Sequence, residues 1–414
     1  MYTFIKDKKS ILSLIYMCSS FFAGIRTKYC YFYGRIAFMR IVKQKEFDSF
    51  SCAADKCPDN CCGGWLIEID DDTLQSLREY KGPLEGAIDK AVDFEASCIR
   101  MNEEGRCELL NEKGLCRLVL EKGEDFISQI CHLYPRHVEE YEGIREWSIS
   151  LSCPVAAKML IDKKEPSEYT VTDNDDPDPL EDDFDDFDVL LFTKLEDSRD
   201  VIFDILNNRS ISIYARMKMI LKFTHTLQEM LDDDMLFDMD DLIEKARKAP
   251  KEVLLSDSDA GFRVFDDPYA LIGYINDNSA VLYRLERLKA DWTEELTILA
   301  DMKDKFTDIG SQYRDAVESL DGSYHEIVLE NVLHTFIYTY YLGAVYDDCI
   351  YEKASMSVFC TLLIDLIYMS VRICDEKRTG IDAFIRVAYR FAKEIEHSDI
   401  NLNMMEEFSA DLFR

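Results

Sequence analysis

Residues 52–65 read CAADKCPDNCCGGW, four cysteines within eleven positions followed by two glycines and a tryptophan. Thiolates ligate zinc and iron–sulfur clusters, whereas magnesium and calcium select oxygen. Pro58, Asp59, Asn60, Gly63 and Gly64 mark the stretch as loop. A loop lets ligands converge on one point from several directions, with glycine allowing the tight turns. Cys98, Cys107, Cys116, Cys131 and Cys153 follow, so nine of the fourteen cysteines fall between residues 52 and 153. Disulfide scaffolds are short secreted chains, and this chain continues into a long helical half that needs no covalent ties. Metal or cluster ligation in a reducing compartment is therefore the expectation. Paired C-x2-C knuckles are absent, which tilts the expectation from zinc toward iron–sulfur. A C-x3-C-x2-C radical adenosylmethionine signature starts at Cys57-x3-Cys61 but fails at Gly64. No G-x-G-x-x-G follows a strand pattern, so a dinucleotide-type fold has no fingerprint here.

The elements that must position these thiols divide the chain. Residues 39–170 form a cysteine-rich domain with few short strands, among them the alternating runs Trp65–Ile69 and Glu146–Leu151. Asp71-Asp72-Thr73, ahead of Leu74 and Leu77, reads as a helix start with acidic caps. Residues 171–190 are an acidic linker, since 173–188 hold ten carboxylates and two prolines. A calcium loop there lacks the glycine and the terminal glutamate that an EF-hand needs. Residues 191–414 carry apolar stripes at spacing three to four, as in 211–221 and 325–345, and 356–374 is apolar almost all round. The expected fold class is mainly α: a cysteine-rich metal-binding domain with few short strands plus a C-terminal all-helical domain. Residues 1–38 read as an extension ahead of a natural start at Met39. Their apolar run 11–25 is shorter than the ~20 residues a spanning helix requires, and a signal or membrane role is the alternative.

A formal net charge of −33 excludes nucleic acid as a partner, because a phosphate backbone needs a basic surface. It suits solubility and, more weakly, a lysine-bearing partner. His132 and His137 flank the segment Cys131-His132-Leu133-Tyr134-Pro135-Arg136, where either could hydrogen-bond to and orient a ligand cysteine or stand by as a partly exposed bystander. Glu330 and His334 stand at i, i+4 and could share a metal, with Glu326 one turn earlier. A surface pair on an amphipathic helix explains them equally.

The ordered motifs carry a resemblance. Phe50-x-Cys52-x4-Cys57-x-Asp59-x-Cys61-Cys62-x-Gly64-Trp65-x-Ile67-x-Ile69-Asp70 resembles the flagellin lysine-N-methylase family, within a wider group of cysteine-rich zinc- or iron-chelating proteins. The likeness continues through Gly114-Leu115-Cys116-Arg117-Leu118, Gly123-Glu124, Ser128, Cys131-x2-Tyr134-Pro135-Arg136 and Leu151-Ser152-Cys153-Pro154. It extends thinly to about residue 345.

The resemblance implies methyl transfer from S-adenosylmethionine to surface lysines of flagellin by a cytoplasmic protein carrying a 4Fe–4S cluster, with zinc the alternative metal. The ligand set it implies is Cys52, Cys57, Cys61, Cys62, Cys107, Cys116, Cys131 and Cys153, with Cys57, Cys61, Cys116 and Cys131 the first choice. Cys98, Cys349, Cys360 and Cys374 are expected to be packing. A lysine amine, pKa about 10.4 free in water, must lose its proton before attack. Tyr134, Glu124 and Glu330 are the candidates to manage that proton. Arg136 and Arg117 are the candidates for the donor's carboxylate, because an arginine fork binds carboxylate bidentately, and Trp65 is the candidate to line the donor site. Two other classes compete: a zinc-bearing interaction scaffold without catalysis, and an iron–sulfur redox protein.

Overall fold

The computed structural model describes residues 39–59, 61–174, 187–254, 262–306, 308–318, 320, 322–375 and 377–413. The expected extension 1–38 and most of the acidic linker lie outside them. Of the described residues 65% are helical and the strands are few and short, so the mainly α class holds.

The strands make two small sheets. Strand β1 (Met39–Gln44) lies inside a four-stranded sheet of order β5-β6-β1-β7, with β5 Arg136–Tyr141, β6 Ile144–Ile149 and β7 Tyr169–Asn174. It pairs in parallel with β6, Val42 opposite Glu146, and antiparallel with β7, Val42 opposite Val171. Strand β7 covers the first residues of the expected linker; the next helix begins at Val189. A second sheet joins β2 (Ile67–Glu68), β4 (Cys98–Ile99) and β3 (Val92–Asp93). The expected strand at 65–69 is thus shortened, since Gly64 turns the chain at φ 86° just before it.

In the cysteine-rich segment the helices are short: α1 Asp71–Glu79, α2 Glu85–Ala91, α3 Arg117–Lys122, α4 Gln129–Leu133 and α5 Pro154–Ile161. The cap of α1 is Asp70, whose carboxylate accepts from Thr73 N at 2.9 Å. Asp71 and Asp72 occupy the first turn, where the helix dipole favours them. The helical region comprises α6 Val189–Asn207, α7 Ile213–Asp232, α8 Met239–Lys248, α9 Pro268–Asn278, α10 Thr293–Lys305, α11 Ile309–Glu318, α12 Gly322–Tyr340, α13 Ile350–Cys374, α14 Ile381–Glu396 and α15 Asp399–Phe413, with short turns between.

Helix α13 is the axis of the bundle. Its residues from Ala354 to Val371 are buried, and α7, α9, α10, α12, α14 and α15 pack around it. Its apolar window is long enough to cross a membrane but lies wholly inside the protein, as a core helix does. Ser355, Ser357, Thr361 and Ser370 satisfy their hydroxyls on carbonyls four residues back, so polar groups cost little there. Asp365 is the exception, and Tyr313 Oη and His325 Nε2 (2.8 Å) close on its two oxygens.

The cores do not follow the sequence division. One continuous cluster runs from Phe47 to Phe413 and takes in Ile144, Ile149 and Leu151, so the four-stranded sheet packs into the helical bundle. A separate small core, Ile67 to Leu118, belongs to the thiol-bearing segment, with Cys107 inside it and Cys62, Cys116 and Cys131 packed against it.

Candidate functional site

The thiol loop folds back on residues 105–107. Gly63 pairs with Arg106, and Cys107 N donates to Cys62 O at 2.8 Å. A β-carbon on Gly63 would stand 2.4 Å from Gly105 O, so glycine is required there. The Cys57 thiol donates to Asp59 O at 2.9 Å, and Trp65 Nε1 donates to Cys61 O at 2.8 Å. Loop and downstream cysteines thus face one region. Cys57 feels Cys52 and Cys61, Cys131 feels Cys61 and Cys116, Cys107 feels Cys116 and Cys131, and Cys153 feels Cys57 and Cys61. Burial pushes Cys107 and Cys131 up to about 12 and Cys153 to about 11. As neutral thiols they must release protons before ligating a cation. The donor chemistry suits a soft metal or an iron–sulfur cluster. Among the described residues, however, no three Cys, His, Asp or Glu side chains close on a common point as a bound ion requires.

Beside the loop, α14 delivers its last turn to the exit of β6. Ser152 Oγ lies 3.0 Å from His397 Nε2 and 3.1 Å from Tyr134 Oη. The half-buried Glu396 carboxylate accepts from Ser150 Oγ and, at 3.3 Å, from Ser152 N. Burial, followed by the nearby Lys393 and Lys289, holds His397 down at about 4, so its imidazole is neutral at pH 7. Burial raises the Tyr134 hydroxyl well above its ordinary range and also raises Glu396. Tyr134–Ser152–His397 is thus a neutral hydrogen-bonded chain that can pass or accept one proton.

Lysines tie the loop to the bundle. Lys393 Nζ meets Asp59 Oδ2 at 2.5 Å, and Lys289 Nζ lies 3.8 Å from Asp59 Oδ1. Glu394 receives Leu288 N and Lys289 N, each at 2.9 Å, fixing the segment that carries Lys289. Cys57, Asp59, Arg106, Lys113, Gly114 and Lys289 line an open depression of ≈ 290 Å³. Lys393→Met should lower stability by about 1–3 kcal/mol, because Asp59 loses its main partner in a half-buried setting. Asp59→Leu with Lys393→Met should recover part of the loss. Urea midpoints of the two variants check this; equal losses in both would show that the pair does not hold the loop.

The structure distributes the sequence candidates unevenly. Tyr134 and Trp65 stand in the junction with Cys57, Cys61 and Cys153 nearby. Glu124 is exposed at the start of a short turn, with no described contact to Tyr134. Glu330 is buried in a clamp of Arg209 (Nη2 at 2.8 Å) and Arg216 (Nη1 at 2.6 Å), so both carboxylate oxygens are occupied. His334 does not share a metal with it: its ring stacks on Phe203 at 4.1 Å and its Nδ1 lies 3.3 Å from Tyr169 Oη. Nor are the two a surface pair, since both are buried. Arg136 sits over Phe47 and Phe50 and donates to Phe50 O at 3.3 Å, and Arg117 donates to Leu110 O at 3.1 Å. Each thus has a local task. His132 is exposed and His137 pairs with Glu139 at 2.6 Å. Sequence reasoning missed Ser150, Glu396, His397, Lys289 and Lys393. Ser152 stood inside the Leu151-Ser152-Cys153-Pro154 motif without a role.

The arrangement is a thiol-rich loop docked on a helical bundle, with a hydrogen-bonded Tyr–Ser–His chain at the joint. Comparison with known families sharpens it. The FliB lysine N-methylase C-terminal domain matches residues 199–413, and the chain belongs to that family. The flagellar biosynthetic protein FliU of Salmonella muenchen is 29% identical over 125 residues, which is 27% of this chain and 72% of that protein. No solved structure matches.

Proposed function

We propose that this protein is a cytoplasmic, S-adenosylmethionine-dependent lysine N-methyltransferase acting on flagellin, with thiols of the loop and its neighbours holding a 4Fe–4S cluster. The observation that carries the reading is the family match across the helical region, joined by the likeness to a flagellar protein. The deprotonated lysine amine attacks the donor's methyl carbon. The methyl–sulfur bond breaks with its electron pair going to sulfur, and the nitrogen's surplus proton leaves to an acceptor. The Ser152–His397 pair, 3.0 Å apart, is the acceptor the geometry offers, with Tyr134 on its other side. With burial holding the imidazole at about 4, the pair would relay the proton outward and not retain it. For the cluster, Cys57 and Cys61 in the loop and Cys116 and Cys131 beyond it are the proposed holders. Bound there, it would knit loop and small core together.

Anaerobically purified protein, incubated with flagellin and S-adenosylmethionine, should add methyl groups stepwise in the flagellin intact mass. Iron and sulfide should co-purify with it, and Cys57→Ala should lose both metal and activity. Absence of any mass ladder sinks the methylase reading. A colourless, zinc-loaded but active protein sinks only the cluster.

A further inference from the structure

Between β4 and α3 the chain makes the same turn twice, in Asn102-Glu103-Glu104-Gly105-Arg106-Cys107 and in Asn111-Glu112-Lys113-Gly114-Leu115-Cys116. Each asparagine carboxamide oxygen accepts from two backbone N–H groups. Asn102 takes those of Glu104 at 3.0 Å and Arg106 at 2.9 Å, and Asn111 those of Lys113 at 2.9 Å and Leu115 at 3.0 Å. Gly105 and Gly114 supply the left-handed residue, at φ 69° and 74°. The two turns thus hold Arg106 and Lys113 on fixed backbone at the edge of the depression beside Cys57. Lys289 reaches the same depression from the segment that Glu394 ties down.

These cations are short of counter-charge. Among the described residues the Lys113 ammonium has no ion pair or hydrogen bond, and the Arg106 guanidinium pairs only with the exposed Glu104, at 3.8 Å. Lys289 lies 3.8 Å from an aspartate whose other oxygen Lys393 holds at 2.5 Å, so two ammoniums share Asp59. In a chain of formal charge −33, three such cations around one hollow make a place for an anionic group. Asp55 lines the hollow too, exposed and with no side-chain partner among the described residues. A phosphate would be repelled there, whereas a carboxylate with an ammonium beside it finds opposite charge for both groups. At ≈ 290 Å³ the hollow lies at the lower bound, about 300 Å³, of small-molecule sites, room for a head group with the rest of the ligand outside.

We propose that this depression binds an α-amino-acid head group, with Arg106, Lys113 and Lys289 serving its carboxylate and Asp55 its ammonium. In the methyl transfer proposed above, on which the naming of the ligand rests, the molecule that carries such a head is S-adenosylmethionine. The two arginines expected from the sequence to hold that carboxylate are spent on the protein itself, Arg136 on Phe50 O and Arg117 on Leu110 O.

Calorimetry on the anaerobically purified full chain compares S-adenosylhomocysteine with 5′-methylthioadenosine, which keeps the nucleoside and the sulfur but lacks the amino-acid head. The head-bearing ligand should bind about tenfold more tightly. Arg106→Gln and Lys113→Gln should each cut that ratio about threefold, and the double variant should remove most of it, while the affinity for methylthioadenosine stays as in wild type. Lys113→Arg, which keeps the charge, should keep the ratio. Asp55→Asn should lower it as well. A site for a bare anion responds the other way: inorganic phosphate binds and tightens in Asp55→Asn, and that result overturns the amino-acid head. No binding of either nucleoside, equal affinity for the two, or a ratio that survives the double variant overturns it too. Flagellin methylation with an unchanged donor KM in the double variant refutes the depression and leaves the methylase reading intact. A ratio that depends on Arg106 and Lys113 in a protein that methylates no flagellin does the reverse.

Discussion

Glu330→Ala should lower the free energy of unfolding by about 3–5 kcal/mol, because it strands a buried guanidinium without its counter-charge. Arg216 is 1% exposed and Glu330 2%. Their contact at 2.6 Å is flanked by Arg209, whose Nη2 and Nε reach the same carboxylate at 2.8 and 3.1 Å. Glu326, 3.3 Å from Arg216, is half-exposed and offsets little of the loss. A catalytic carboxylate would give the opposite pattern, with turnover falling and stability kept. Urea unfolding of Glu330→Ala and Glu330→Gln separates the two roles. The glutamine keeps hydrogen-bond acceptance without the charge and should fall between wild type and alanine. Glu330→Leu with Arg216→Met should regain part of the stability, since removing both charges spares the desolvation of each. A folded, stable but inactive Glu330→Ala would restore the catalytic role.

Acid should weaken the fold through His334 by on the order of 3 kcal/mol between pH 6.5 and pH 4. The ring is 4% exposed, and burial, then Lys163 and Arg199, hold its pKa down at about 3. The unfolded chain takes up a proton near pH 6.5, while the folded one refuses it until about 3. Stability due to this group is thus full above pH 6.5 and declines as pH falls through that window. Glu394, Glu396 and Glu406, raised by burial, and His325, raised through Asp365 against its own burial, bind protons more tightly when folded and act in the opposite direction. The difference from His334→Phe therefore isolates the effect, because the variant keeps the stack on Phe203 and cannot titrate. Urea midpoints at pH 4 and pH 6.5 that shift equally in both proteins would refute the assignment.

Local features were legible in the sequence and long-range ones were not. The all-round apolar run at 356–374 announced a buried helix, and 350–374 is that helix. The thiol loop announced itself because its cysteines and glycines are neighbours in the chain. By contrast, Asp59 meets Lys393 across 334 positions and Ser152 meets His397 across 245, and no periodicity encodes such a meeting. Strand β1 escaped notice because its partners begin at residues 144 and 169. Glu330 and His334 show how a spacing rule misleads. At i, i+4 they share a helix face, yet arginines on one side claim Glu330 and aromatic rings on the other claim His334.

Helix α13 also bears on how the chain is made. Before its neighbours close over it, this 25-residue apolar segment has the length and hydropathy of a bilayer span. During synthesis it is thus a ready client for chaperones and a hazard for mistargeting or aggregation. Its protection comes from helices on both sides of it in sequence, α7, α9, α10 and α12 before and α14 and α15 after. Variants that delay the docking of α14 or α15 should therefore show first as poor yield in the cell, ahead of any defect in the purified protein.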